Sequence, residues 1–259
     1  MTPKETVLRA VAGGLDLIAL TDHDSAEGLD EALAAARDTG LRLIPGAEMT
    51  ASLGSHEIHI LAYFPRFDAF APNGLGPFLG QVRQMREDRI RAGIRALRLR
   101  GLLIMESEVL NRPGTSYTRL HLAKALVAAG YARTLNEAFR RFLDRKFGTV
   151  PPLTITAEDV IGNIHAHGGL AVWAHPAPDD LERFLDRLVA AGLDGLESHN
   201  FRQSTHSAML QETARNKGLL CTGGSDWHGA ATEKPLGSYA NSDDITRPFL
   251  DALTARGMQ

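Results

Sequence analysis

A single cysteine, Cys221, stands among the 259 residues, so no disulfide can form within the chain, and a reducing cytoplasm is the expected compartment. Long apolar runs are absent too. None approaches the ~20 residues that cross a bilayer, so no membrane association is expected. The opening Met-Thr-Pro-Lys-Glu lacks the basic segment and apolar stretch of a secretory signal. Neither sign of charge is in large excess: the formal net charge is −3 and 23% of residues are charged. That balance argues against generic binding of duplex DNA. It leaves room for a small phosphorylated substrate, because a few Arg or Lys in a cleft suffice for one phosphate. There is no Walker loop, no dinucleotide fingerprint, no fixed-period repeat and no low-complexity segment. Gly223-Gly224-Ser225-Asp226 is not the nucleophile motif G-x-S-x-G, since its Asp follows the Ser directly.

What the chain does have is enough apolar content, 44%, to bury a full core. Short apolar runs alternate with helix-forming stretches, the pattern of a parallel α/β fold. The runs are Leu15 to Leu20, Leu41 to Pro45, Ile58 to Phe64, Leu170 to Trp173, Leu193 to Glu197 and Leu219 to Thr222, with Cys221 expected to be buried in the last. Between them lie helices such as Glu27 to Asp38, stopped by Gly40, and Asp180 to Ala191, stopped by Gly192. Residues 77–166 break the rhythm. Rich in Arg, Leu and Ala, they predict consecutive helices over Phe78 to Gly101, Arg119 to Gly130 and Leu135 to Leu143, a helical insertion within one α/β domain spanning 1–259.

His and carboxylate residues recur where an apolar run gives way to a loop. Thr21-Asp22-His23-Asp24 follows the first run, Gly46-Ala47-Glu48 the second, Ala174-His175-Pro176 the fourth and Gly224-Ser225-Asp226-Trp227-His228 the last; His59 lies inside the third. In parallel α/β folds the carboxyl ends of the strands share one rim, so these side chains are expected to converge. A mixed imidazole and carboxylate set suits Zn²⁺, Mn²⁺ or Fe²⁺. A lone His at a strand end is more often a packing residue than a ligand, and it is the recurrence over successive strands that favours a shared site. Ile164-His165-Ala166-His167 has H-x-H spacing but closes a helix, where two residues apart do not face the same way, so this pair reads as structural. His56 reads as a solvated loop residue.

The blocks LDLIALTDHD, LIPGAEMT, EIHILAYF, GGLAVWAHP and LLCTGGSDWHG, in this order, resemble the PHP (polymerase and histidinol phosphatase) superfamily. Within it, RLHLAKALVAAGYARTLNEAFRRFL resembles the helical insertion of bacterial phosphoesterases that act on nucleoside 3′,5′-bisphosphates and the 5′ ends of short RNA. The resemblance implies a distorted (β/α)₇ TIM-like barrel and a metal-activated water that hydrolyses a nucleotide phosphate ester. It puts His23, Glu48, His59, His175, Asp226 and His228 on metal-ligand positions, with up to three divalent ions, Mn²⁺ foremost and Zn²⁺ or Fe²⁺ as alternatives. Arg119 falls on a phosphate-binding position and His206 near the substrate. Members of the family open with a strand carrying H-x-H and a following Asp, whereas this sequence starts at Met1-Thr2-Pro3-Lys4-Glu5, after the point where that strand ends. A start codon placed downstream and a true loss both account for the missing motif and the missing first strand, and fewer than three ions are expected here. The ligands implied for one metal, Glu48, His59 and His175, are complete. Two alternatives stand beside the nucleotide enzyme: a non-catalytic PHP scaffold that binds a metal or phosphate, and a histidinol-phosphate-type phosphatase. Oligomeric state is not legible.

Overall fold

Strand formation follows the short apolar runs, but the way the strands pair depends on the lengths of the connections between them. The computed structural model describes residues 1–112, 115–200, 205–228 and 235–258. Its strands are β1 (Leu17–Leu20), β2 (Arg42–Leu53), β3 (His56–Tyr63), β4 (Leu170–Trp173), β5 (Gly195–Asn200) and β6 (Leu220–Gly224), and among the described residues they pair in chain order as one six-stranded sheet. β1 and β2 run parallel, as do β4, β5 and β6. β3 runs against both of its neighbours. This departs from the all-parallel reading, and the reason is local. Only Gly54 and Ser55 separate β2 from β3, with Gly54 at φ 64°, and a two-residue link closes a hairpin, whereas a parallel return needs a dozen or more residues. The fold is therefore mixed α/β, with a curled sheet and many helices.

Two compact units make up the chain. Met1–Pro77 with Ile155–Gln259 forms the sheet unit, and Phe78–Thr154 forms the other. In the sheet unit, α1 (Pro3–Ala12) starts at Thr2, whose hydroxyl accepts from Glu5 N–H while Glu5 accepts from Thr2 N–H, a reciprocal cap that fixes the first turn. Val7 and Ala10 of α1 bury against Ala32, Ala35 and Ala36 of α2 (Leu29–Thr39), where small side chains allow close packing. The interior of the sheet is filled by Ile44, Leu61, Tyr63, Leu170 and Val172 with Phe249 and Leu253. Cys221 is half-buried rather than buried, because among the described residues β6 is an edge strand paired only with β5.

The Phe78–Thr154 unit holds most of α3 (Gly76–Leu99), with α4 (Glu106–Val109), α5 (Arg119–Ala128) and α6 (Leu135–Ala138), followed by a π turn at Phe139–Leu143 and a 3-10 turn at Arg145–Phe147. Ile90, Ile94, Leu97, Leu122, Leu126 and Phe142 anchor its core. The chain returns to the sheet unit at Ile155, whose carbonyl accepts from Ser52 N–H (2.8 Å). The next helix, α7 (Ala157–Ala166), buries Val160, Ile161 and Ile164 and packs against β2, β3 and β4. The helical composition over 77–166 thus runs past the end of this second unit, since composition cannot show which core a helix joins. The sheet unit is completed by α8 (Pro178–Ala190), α9 (Ser207–Lys217) and α10 (Asp243–Ala255). No helix among the described residues is long and apolar enough to cross a membrane.

Candidate metal centre

Glu48 lies within β2, and three imidazoles gather on its carboxylate. Oε1 is 2.8 Å from His59 Nδ1 and 3.2 Å from His175 Nε2, and Oε2 is 3.5 Å from His23 Nδ1. His59 Nδ1 and His175 Nε2 are 3.3 Å apart. Each residue arrives by a different route. His23 follows β1 in a segment that keeps pairing with β2 beyond the strand, with Asp24 N–H donating to Glu48 O (2.9 Å) and Glu48 N–H to Asp22 O (3.1 Å). Gly46 permits this close approach, since a Cβ there would lie 2.8 Å from Thr21 Cγ2 and from Ala62 O. His59 lies opposite Thr50 in the hairpin, not at a parallel strand's carboxyl end. His175 stands two residues beyond β4. His23 and His175 thus stand past the ends of β1 and β4, as a shared rim requires, whereas Glu48 and His59 reach the cluster from within the β2–β3 hairpin.

The donor set fits a divalent cation. Ligand atoms about 2.1 Å from a tetrahedral ion are separated by roughly 3.4 Å. Glu48 Oε1, His59 Nδ1 and His175 Nε2 form a triangle with sides of 2.8, 3.2 and 3.3 Å, close to one face of such a tetrahedron. His23, Glu48 and His59 offer a second grouping, with ligand atoms all within 4.8 Å. The His228 ring centroid is 6.0 Å from that of His23, and His228 Nδ1 is 3.7 Å from Asp226 Oδ1. His228 Nδ1 also lies 2.7 Å from the Asp226 carbonyl, an acceptor only, which assigns the proton to Nδ1 and the lone pair to Nε2.

Backbone strain marks the same place. Among the described residues the non-glycine positions with positive φ are Asp24 (45°), His175 (34°) and Asp226 (49°), each just after a strand or its extension. Left-handed backbone costs an L-residue about 1–2 kcal/mol, so each of these positions must be held by its surroundings. Asp24 is fully buried, and its carboxylate accepts from Thr50 N–H (2.8 Å) and from the Thr50 hydroxyl (3.1 Å). His175 is held by Glu197, whose Oε2 accepts from His175 N–H (2.8 Å) and from Asn200 Nδ2 (3.1 Å).

The electrostatics separate the two carboxylates. Burial alone would raise the Glu48 carboxyl, but hydrogen bonds from His175 and His59 and the charge of His23 outweigh it and hold Glu48 well below the usual range. Burial pulls His175 down, yet the hydrogen bond and charge of Glu48, joined by the charges of Glu197 and Asp226, raise it above the ordinary imidazole. Glu197 goes the other way. Burial pushes it up to about 7, with the charge of Glu48 adding to the rise, while His175 and Asn200 oppose it. Tyr63 beneath them is pushed far up by burial and by the Glu197 charge.

Sequence reasoning passed over Glu197 and gave Asp24 no role. The signal for Glu197 was present, because the run Leu193 to Glu197 itself ends on a carboxylate, much as other runs are followed by a His or a carboxylate. Arg119 opens α5 in the helical unit, half-buried, with Nη1 3.5 Å from Leu143 O and its guanidinium 6.0 Å from the Phe139 ring. His206 occupies the position before α9, exposed, with Nδ1 3.1 Å from Thr205 Oγ1. The H-x-H pair divides between separate partners: His165 Nε2 lies 2.7 Å from Asp194 Oδ2, and His167 Nδ1 lies 2.8 Å from Asn163 O. His56 opens β3 beside Arg183 (3.1 Å) and Phe184 rather than lying in a solvated loop. Gly229, the last residue of the final sequence block, falls outside the described residues.

A buried carboxylate ringed by imidazoles on a mixed α/β sheet is the donor set of a metal-dependent hydrolase. No family model matches the chain. It is 34% identical to the 3′,5′-nucleoside bisphosphate phosphatase of Chromobacterium violaceum over 99% of its own length and 92% of that protein. It is 36% identical to the 5′-3′ exoribonuclease Rnm of Salmonella typhimurium over 88% of its length and 80% of the relative. Among solved structures, a protein described as a metal-dependent phosphoesterase from Bifidobacterium adolescentis superposes with a TM-score of 0.81 at 31% identity, covering 97% of this chain and 91% of the other. An amidohydrolase from C. violaceum, solved with sulfate and no metal, gives 0.82 at 30% identity over 99% and 92%. The chain belongs to the PHP family of metal-dependent phosphoesterases, alongside nucleoside bisphosphate phosphatases and 5′-3′ exoribonucleases.

Proposed function

We propose that the chain hydrolyses a phosphate ester of a nucleotide, a nucleoside 3′,5′-bisphosphate or the 5′ end of a short RNA, at the Glu48 cluster. The observation that carries this reading is the near-equilateral triangle of Glu48, His59 and His175 in a chain similar to such enzymes over nearly its whole length. Glu48, His59 and His175 would hold one divalent ion, for which Mn²⁺ is the proposed metal, with His23, Asp226 and His228 as further ligands. A divalent ion there supplies Lewis acidity toward phosphate oxygens and lowers the pKa of water. Glu48, held well below the usual carboxylate range, is an anion throughout physiological pH and needs no proton loss to act as a ligand. Asp24 and Glu197 contribute by fixing the strained backbone on either side. Arg119 and His206 are proposed as phosphate and substrate contacts from the family resemblance. A distorted (β/α)₇ barrel and a cytoplasmic setting belong to the same reading.

The test is a substrate panel. With Mn²⁺, adenosine 3′,5′-bisphosphate and a 5′-phosphorylated short RNA should turn over, histidinol phosphate should not, and Glu48→Gln should abolish the turnover. Preference for histidinol phosphate, or activity that survives Glu48→Gln, would overturn the proposal. Metal binding without turnover of any phosphate ester would leave a scaffold.

A further inference from the structure

The modest net charge of −3 conceals a strong division between the two units. Phe78–Thr154 contains 15 Lys and Arg against six Asp and Glu, whereas the sheet unit contains 13 against 25. The helical unit is thus at +9 and the sheet unit at −12. The carboxylates of the helical unit are also taken up locally. Glu87, Asp88 and Glu106 all meet Arg91 (3.0, 3.1 and 3.5 Å), and Glu137 lies between Arg133 and Arg141 (3.6 and 2.7 Å). Asp144 meets Lys146 (3.3 Å), and Glu108 accepts from Met105 N–H (2.7 Å). Arg95, Arg100, Arg112, Lys124 and Arg140 stand exposed on the same unit. The field reaches inward as well: burial, then the charges of Lys124, Arg86 and Arg112, depress the His121 imidazole.

An aromatic platform sits within this field. Phe147 is 45% exposed, an unusual place for a Phe side chain. It closes the 3-10 turn whose first amides are capped by Asp144, which accepts from Lys146 N–H (3.0 Å), and Gly148 at φ 60° ends the turn. The Arg100 guanidinium lies 5.8 Å from the Phe147 ring and 5.7 Å from that of Phe142, and Lys146 Nζ lies 5.1 Å from Phe147. Thr149 ties the pieces together by donating to Phe142 O (2.6 Å) and accepting from Arg100 Nη1 (3.4 Å). An exposed ring set on a fixed turn can stack a base as the two cations that lie over it turn to the adjoining phosphates. A membrane surface would match the charge too; the nucleotide phosphoesterase reading favours an oligonucleotide.

We propose that the Phe78–Thr154 unit is a single-stranded oligonucleotide-binding surface, in which Phe147 stacks a base and Arg100 and Lys146 contact the flanking phosphates. The inference rests on the nucleotide phosphoesterase reading for the identity of the polyanion alone, and it goes beyond that reading by giving the helical unit a binding role of its own.

The experiment uses the full chain, kept metal-free with EDTA so that nothing turns over, and a fluorescein-labelled oligoadenylate followed by anisotropy. Affinity should fall steeply as salt rises from about 50 to about 200 mM, as release of condensed counterions requires. Phe147→Ala should weaken binding roughly tenfold, the loss expected for one stacked base, and Phe147→Trp should restore it. Arg100→Glu should weaken binding and flatten the salt dependence. With Mn²⁺ restored, Phe147→Ala should hydrolyse adenosine 3′,5′-bisphosphate like the parent, because Phe147 is none of the residues assigned to that reaction. Unchanged affinity in Phe147→Ala would overturn the proposal, as would anionic vesicles competing as well as oligoadenylate. Oligonucleotide binding with these properties in a protein that hydrolyses neither substrate would uphold the surface and refute the catalytic reading instead.

Discussion

Asp194 is the clearest place to test whether the H-x-H pair and its partners serve stability rather than chemistry. Its Oδ2 accepts from Ala171 N–H (2.7 Å) and lies 2.7 Å from His165 Nε2, while Oδ1 accepts from Arg256 (3.2 Å). One carboxylate thereby ties the backbone of β4 to the end of α7 and to the C-cap of α10. Asp194→Ala leaves the amide of fully buried Ala171 without its acceptor, a loss of about 1–3 kcal/mol. Removing the half-buried His165 contact and the Arg256 pair adds about 1 kcal/mol, the pair being too exposed to contribute more. The expected total is about 3 kcal/mol in the urea unfolding free energy. Asp194→Asn keeps an oxygen for Ala171 N–H and should cost about half as much. Mn²⁺ affinity should be unchanged in both, since Asp194 stands ahead of β5 and touches none of the clustered ligands. A cost under about 1 kcal/mol for Asp194→Ala, or an equal cost for both variants, would refute this reasoning, and a loss of metal binding would tie His165 and Asp194 to the metal site.

Three further outcomes follow from the site. Glu48→Gln should lower Mn²⁺ affinity at least about 100-fold by calorimetric titration, because changes in mere supporting residues already cost 10–100-fold. Glu197 prefers its neutral form when folded, its pKa lying near 7 rather than the ordinary 4.5, so its stabilising contribution is complete below about pH 4.5 and is lost as pH rises through 7. The metal-free protein should lose up to about 3 kcal/mol from this source between about pH 5 and pH 8, and urea melts of Glu197→Gln should lack that part of the slope; an identical slope would contradict the assignment. Thr50→Val should cost about 1–2 kcal/mol in thermal or urea unfolding by removing the hydroxyl that Asp24 accepts from inside the core.

Most strands were legible because their apolar runs are short and bounded, and Leu170 to Trp173 coincides with β4 from end to end. Their directions were not, because direction is set by the connection. The Gly54-Ser55 link outweighed an alternating rhythm that otherwise reads as parallel. The six residues matched by resemblance were visible as polar residues that follow apolar runs or, for His59, lie inside one. What the sequence could not show was how they are held. The left-handed backbone at Asp24, His175 and Asp226 leaves no compositional mark, and Glu197 supports His175 from a strand 22 residues further along the chain. The charge division between the units was equally present in the residue counts, but it emerged only once the boundary at Phe78 and Thr154 was known.

The central claim, that Glu48, His59 and His175 together hold a divalent ion, is tested most directly by titrating Mn²⁺ into the metal-free 259-residue chain and following the heat, with elemental analysis of the dialysed product. The account predicts at least one tightly held ion per chain, with that site lost in both His59→Ala and His175→Ala while the helical content by circular dichroism stays intact. An absence of tight binding in the parent chain, or a site that survives both substitutions, would contradict it.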